Sequence, residues 1–252
     1  MPIARILGTR GFFVFSSKQS YDRFKETNFN ISVLDSEGVG VPFLHIVRNY
    51  NVIGHLTGSS PDFHIYKYVL QKAEDPPLYS ESKVICEDKA FRLCKIPYCE
   101  IYSHLNFLKT KYDFFYPSGT QFHKKYQVVK QNNFRDLDTY LDGLHFHWHV
   151  KFYSDHYRLM YFNEYDLGSS NDARAKRKQS DAPDIDIVVG HYTKRFSNFI
   201  PRSISKCSEL VIGEQSRPDS LGISSVPVLT ETFACQGALI HYLEHIEEKN
   251  RK

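Results

Sequence analysis

Three histidines alternate around the chain's only tryptophan in His145-Phe146-His147-Trp148-His149-Val150. Imidazole is the commonest side chain on transition metals, so an H-x-H-x-H run raises metal chemistry first. On a strand, His145, His147 and His149 share one face, and Phe146, Trp148 and Val150 share the other. Neighbours two apart lie ~6.5–7 Å from each other, close enough for two imidazoles to hold one Zn²⁺. Positions four apart are ~13 Å away, so a straight strand cannot deliver all three. A third ligand then has to come from an adjacent strand, and His156, His191 and Asp155 are the candidates. No second H-x-H pair and no H-E-x-x-H helix marks its place. The competing account is that Phe146 and Trp148 anchor a core while the histidines form its polar outer face. The missing further ligands favour this second account, and no cofactor is expected.

Other constellations are weaker. Gly58-Ser59-Ser60-Pro61-Asp62, with His55 and His64 nearby, offers a serine and a base, but the G-x-S-x-G elbow is absent and GSSPD is ordinary turn sequence. No Walker loop or G-x-G-x-x-G supports nucleotide chemistry. One basic run is concentrated: Arg174, Lys176, Arg177 and Lys178, in a segment without apolar residues. Such a run attracts anionic lipid or nucleic acid, or serves as a nuclear-localisation element, or is simply a solvated loop. Ser180, beside it, is a candidate phosphorylation site whose added negative charge would weaken that attraction.

Composition narrows the class. The formal net charge of +3 over 252 residues argues against a dedicated nucleic-acid surface while leaving room for a local patch. The opening residues MPIARILGTRGFF carry no signal-peptide pattern, and no run is apolar enough for a transmembrane helix. The cysteines Cys86, Cys94, Cys99, Cys207 and Cys235 are odd in number and fit no zinc spacing, so they are expected as reduced thiols in the cytoplasm or nucleus. Seventeen tyrosines and nineteen phenylalanines against two methionines favour strands.

Short strands are expected at Phe12–Phe15, Ile31–Leu34, Pro42–Arg48, Asn51–Leu56, Asp62–Leu70, Lys83–Cys86, Phe91–Ile96 and Tyr98–Leu105. The second pair, Pro42–Arg48 and Asn51–Leu56, reads as a hairpin turning at Asn49-Tyr50. Residues 109–138 read as a long polar excursion. His145–Tyr153 and Tyr157–Tyr165 form the clearest hairpin, followed by a polar excursion over 166–183 and strands at Ile185–Lys194 and Glu209–Ile212. From Thr232 to Ile246 the pattern turns helical and apolar on nearly every side as far as Leu243, with charge resuming at Glu244. A helix of that kind is buried rather than laid on a surface.

This ending resembles the tubby-like C-terminal domain superfamily, which includes tubby proteins, phospholipid scramblases and LURP-one-like proteins. FHWHVKFY, YRLMYFN, IVVGHYTK, ELVI and ETFACQGALIHYLEHIEEKNRK carry the resemblance, in the order hairpin, strand, strand, terminal helix. It implies a closed β-barrel wrapped around a hydrophobic C-terminal helix, and carries over no ligand-binding residue. The expectation is therefore one mainly β domain over residues 1–252, a closed or nearly closed antiparallel barrel with a buried C-terminal helix. A two-sheet sandwich with the helix packed on it is the alternative. The expected function is a non-enzymatic binding module touching a protein partner or anionic phospholipid through the basic loop. A metal-binding protein or metal-dependent enzyme using the histidine strand is the other reading.

Overall fold

Strand alternation runs through most of the chain and closes on itself. The computed structural model describes residues 1–31, 34–50, 60–76, 82–105, 108–117, 125–131, 135–151, 154–162, 187–194, 204–213 and 221–250. The first half holds β1 (Pro2–Ile6), β2 (Phe12–Phe15), helix α1 (Lys18–Glu26), β3 (Pro42–Arg48), β4 (Phe63–Lys72), β5 (Lys83–Glu87) and β6 (Phe91–Leu105). It continues through β7 (Lys109–Phe115), β8 (Lys125–Gln131), β9 (Leu137–Leu141) and β10 (Leu144–Val150). The remainder is β11 (His156–Phe162), β12 (Ile187–Lys194), β13 (Ile204–Ile212) and helix α2 (Val228–Asn250).

Among the described residues, twelve antiparallel strands make a closed ring in the order β4-β3-β2-β1-β13-β12-β11-β10-β9-β8-β7-β6, with β6 returning to β4. β6 is long enough to serve three neighbours. One edge pairs with β4 over Phe91–Ile101, and the other takes β5 beside Arg92–Lys95 and β7 beside Glu100–Leu105. The two strands expected on either side of Pro97 are thus one. Proline is tolerated there because the register slips between Ile65 and Tyr66 opposite it, and the slip gives Tyr98 an inward direction. The barrel expectation holds, and the sandwich alternative is excluded by the ring.

Three expectations need correction. Residues 109–138 are no excursion: they supply β7, β8 and the start of β9. Only Tyr112 and Phe114 of β7, and Tyr126 and Val128 of β8, are apolar and face the core. Apart from Phe115 and Val129, their outward neighbours are lysine, aspartate and glutamine, so composition hides an intact period of two. β3 takes its partner from β4, with Arg48 opposite Phe63, rather than from 51–56, where residues 51–59 lie outside the described residues. Ile31 and Leu34 belong to no strand, whereas the unexpected α1 begins at Ser17, whose side chain accepts the Ser20 N–H at 3.1 Å. It buries Tyr21 and Phe24. The excursion expected at 166–183 lies outside the described residues.

Helix α2 occupies the lumen. Phe233 meets Phe146 of β10, Tyr242 meets Phe63 of β4, and His241 meets Phe12 of β2, so the helix touches widely separated staves of the ring. Phe233, Ala234, Cys235, Ala238, Leu239 and Ile240 are at most 3 % exposed. Gly237 is needed because a Cβ would come 2.8 Å from the Leu210 side chain. The helix is less apolar than its sequence pattern implies. Glu231, Thr232, Gln236, His241 and Glu244 are all buried, and the wall answers them. Gln236 Oε1 accepts from Trp148 Nε1 at 2.8 Å, Glu231 takes Lys67 and Tyr98, and Glu244 takes Arg135 and Tyr157. Glu244, expected as the start of a wet face, is an inner anchor, and Leu243 is only half-buried.

His241 makes this core acid-sensitive. Its Nδ1 accepts from Tyr192 Oη at 2.9 Å and Ser208 Oγ at 3.0 Å. Burial, helped by the charges of His245 and Lys194, lowers its pKa from 6.5 to about 3. The folded pKa lies below the unfolded one, so its stabilisation is complete above pH 6.5 and is lost as pH falls toward 3. The limiting slope is about 1.4 kcal/mol per pH unit for each proton taken up on unfolding. His45, lowered by burial to about 4, adds in the same direction. Melting temperature is therefore expected to fall between pH 6.5 and 4, and His241→Asn to flatten that profile. A wild-type profile already flat over this window would contradict a neutral buried His241.

Candidate functional site

The turn between β9 and β10 sets the register of the histidine strand. Asp142-Gly143 occupies it with φ of 51° and 78°, the left-handed pair that a two-residue hairpin requires. Leu141 then faces Leu144, Tyr140 faces His145, Thr139 faces Phe146, and Asp138 faces His147. Phe146 and Trp148 point into the core, and Trp148 is fully buried. The histidines point outward, as the alternation predicts, and there meet the two aspartates of Asp136-Leu137-Asp138.

Five side chains form an alternating ladder on the outer wall. His145 Nε2 lies 3.1 Å from Asp138 Oδ1, and the same oxygen is 2.7 Å from His147 Nδ1. His147 Nε2 faces Asp136 Oδ2 at 3.4 Å, and that oxygen is 3.3 Å from His149 Nδ1. Asp136 is fixed from behind by its other oxygen, which accepts the Val150 N–H at 3.0 Å. Tyr140 stacks on His145 at 4.5 Å, and Phe162 flanks His145 and His147 at 5.0 and 5.7 Å. His147 is the most enclosed rung, its side chain 8 % exposed, and His149 the most open at 39 %.

Electrostatics follow from the pairing. Burial works against a charged His147, yet hydrogen bonds to Asp136 and Asp138 and their charges outweigh it and raise its pKa to about 9. Burial likewise opposes the two carboxylates, and the histidine hydrogen bonds outweigh it, holding Asp138 well below the usual carboxylate range. Asp136 is lowered for the same reason, with the Val150 N–H helping. In this state His147 is an imidazolium held between two carboxylates. The donor set of the cluster also suits a metal, because Asp136, His147 and His149 each offer one ligand atom and these all lie within 4.8 Å of one another.

The structure brings His147 and His149 together with a ligand that sequence reasoning missed. The neighbours proposed to complete the site do not join it. His156 bonds Thr193 Oγ1 at 3.0 Å on the far side of β11, and His191 sits opposite Arg158 on β12. His145 contributes to the ladder through Asp138 rather than as a third ligand. The Asp-Gly turn was the signal that would have found Asp136 and Asp138, since counting back from it places each aspartate opposite a histidine.

The serine candidate gains nothing. His64 stands 3.6 Å from Glu100, and the Ser60 hydroxyl is buried without a hydrogen-bond partner. Ser59 and His55 lie outside the described residues, as do Arg174, Lys176, Arg177, Lys178 and Ser180. All five cysteines are free thiols. Among the described residues no helix is long and apolar enough to cross a membrane.

A closed antiparallel barrel plugged by its C-terminal helix, with a histidine–carboxylate ladder outside, defines the class of protein. The chain belongs to the DIA1 family, whose profile matches residues 1–249. It is 66 % identical over 256 residues to the uncharacterized protein YOR385W of Saccharomyces cerevisiae, covering 100 % of this chain and 88 % of that one. It is 31 % identical over 270 residues to Protein DIA1 of the same yeast, covering 100 % of this chain and 80 % of the relative. No solved structure matches significantly.

Proposed function

We propose that this DIA1-family barrel is a non-enzymatic binding module that acts through its outer surface, with Arg174, Lys176, Arg177 and Lys178 as the contact for an anionic partner. One observation carries the reading: α2 fills the lumen with its own apolar and polar side chains, where ligand-binding barrels keep space. A plugged barrel is left with its exterior for recognition. The charge of the concentrated basic run suits an anionic partner, either an anionic lipid headgroup or an acidic protein segment in the cytoplasm or nucleus. The tubby-like resemblance is kept as part of this proposal, supported by a barrel closed around a terminal helix. The metal-binding alternative is favoured by a different observation, the shared approach of His147 and His149 to Asp136.

The test compares the full chain with a variant carrying alanine at 174, 176, 177 and 178. Both are sedimented with vesicles of phosphatidylcholine alone or with added phosphatidylserine, and both are used as bait at low and high salt. Expected is salt-sensitive capture, by acidic vesicles or by a discrete protein, that the alanine variant loses. Ser180→Glu is expected to weaken the same capture. Equal behaviour of wild type and alanine variant in every arm would end the reading.

A further inference from the structure

We propose that Asp136, His147 and His149 form a site for one divalent transition-metal ion of the zinc class on the outer wall of the barrel. The inference is independent of the basic loop and of what that loop binds.

Geometry comes first. His147 Nε2 and His149 Nδ1 lie 3.4 and 3.3 Å from one oxygen, Asp136 Oδ2. Ligand atoms bonded at ~2.0–2.1 Å to a tetrahedral zinc are separated by ~3.4 Å. Two of the three edges of a ligand triangle therefore stand at coordination spacing, and the third is within 4.8 Å. An ion entering the triangle needs side-chain rotation at His149 and no movement of the strands.

Each ligand is also held in the orientation that coordination requires. Asp136 spends Oδ1 on the Val150 N–H, which leaves Oδ2 directed at the imidazoles. His147 Nδ1 is 2.7 Å from Asp138, so with that N–H donated there Nε2 is the nitrogen turned toward Asp136 Oδ2, and it releases its proton to solvent when an ion binds. A carboxylate behind a histidine in this way fixes the tautomer and raises ligand basicity at metal centres. Asp138 is steadied in turn by His145 Nε2 at 3.1 Å. Asp138 and His145 are thus positioning residues, and three alternate histidines resolve into two ligands and one support. The ~13 Å between the outer histidines ceases to matter, because Asp136 replaces His145.

The donor set selects the ion. Two imidazoles and one carboxylate suit Zn²⁺ and its neighbours, whereas calcium requires six to eight oxygens and Cu(I) prefers sulfur. The carboxylates of Asp136 and Asp138 balance the charge of a divalent ion, taking over the part that the protonated histidine plays without it. Three protein ligands leave a fourth position, beside the solvent-open His149, for water or a donor from another molecule.

The experiment titrates the chelator-stripped full chain with Zn²⁺ by calorimetry and with Co²⁺ by visible absorption. Expected are one ion per chain and a cobalt spectrum of nitrogen and oxygen ligands without a thiolate charge-transfer band. His149→Ala and Asp136→Asn are each expected to remove that binding, and Asp138→Asn to weaken it on the order of 10–100-fold. The His149 side chain is 39 % exposed, so its alanine variant keeps the fold and decides the matter even where Asp136→Asn unfolds. Absence of zinc binding by wild type overturns the proposal. So does binding that survives His149→Ala, or a thiolate band that moves the ion to the cysteines.

Discussion

Leu239→Asp is expected to leave the chain without a folded state. Leu239 is 2 % exposed in the middle of α2, inside the core cluster that also holds Trp148, Phe233 and Leu210. Truncating a core leucine to alanine costs roughly 2–5 kcal/mol. The substitution loses that contact and also buries a carboxylate with no partner, which costs several kcal/mol more or forces it to stay protonated. Together these approach the ~5–15 kcal/mol that holds a typical domain. A chain ending at Glu231 should fail for the same reason, since the ring would enclose nothing. Leu239→Met, which keeps the volume, is expected to cost less than ~1.5 kcal/mol. Circular dichroism melts of the three variants check this. A cooperative transition for Leu239→Asp near the wild-type temperature would show that α2 is not the plug.

Arg135→Ala should produce the next largest loss, roughly 3–5 kcal/mol. Its Nε and Nη2 donate to Glu244 Oε1 at 3.1 and 2.7 Å, and its Nη1 donates to the Ser154 carbonyl at 2.8 Å. The two side chains are 18 % and 5 % exposed, so little solvent is available to replace the guanidinium. Without it, Glu244 keeps only the Tyr157 hydroxyl among these partners. The charge is then buried and unbalanced. Replacing both members by apolar residues, Arg135→Met with Glu244→Leu, removes the stranded charge and should cost less than Arg135→Ala alone. Urea unfolding midpoints of the single and double variants measure the difference. Equal losses would mean that Glu244 does not depend on Arg135.

The strong alternations were legible where aromatic and branched residues marked one face, as with Phe146, Trp148 and Val150 of β10, Tyr157 and Leu159 of β11, and Phe63 and Ile65 of β4. The hairpin β10–β11 and the plug followed from that pattern. Residues 109–138 were not legible by composition, because a barrel wall with one wet face needs only two inward apolar residues per short strand. α1 was hidden by its shortness, though Ser17 and the three-residue spacing of Tyr21 and Phe24 mark it. The plug's apolar pattern overstated its dryness: Glu231, Gln236, His241 and Glu244 read as polar gaps, and their partners lie on strands far away in sequence. The candidate site was half legible. His147 and His149 showed on their own strand, whereas Asp136 and Asp138 required the register that Asp142-Gly143 sets.

The seam between β1 and β13 carries a kinetic consequence. Met1 and Leu210, 209 positions apart, bond at 2.7 Å, so the ring is sealed by one of the longest-range contacts in the chain. During synthesis β1 through β12 emerge before their last neighbour exists, and α2, which fills the space they enclose, emerges later still. Until then the nascent sheet has two open edges and an uncovered apolar inner surface, the features that template wrong pairing. High contact order of this kind slows folding, because loop closure must precede the reward of the contacts it brings. Closure of the barrel therefore waits on residues 228–250, and the unplugged sheet is the species most open to wrong pairing on the way.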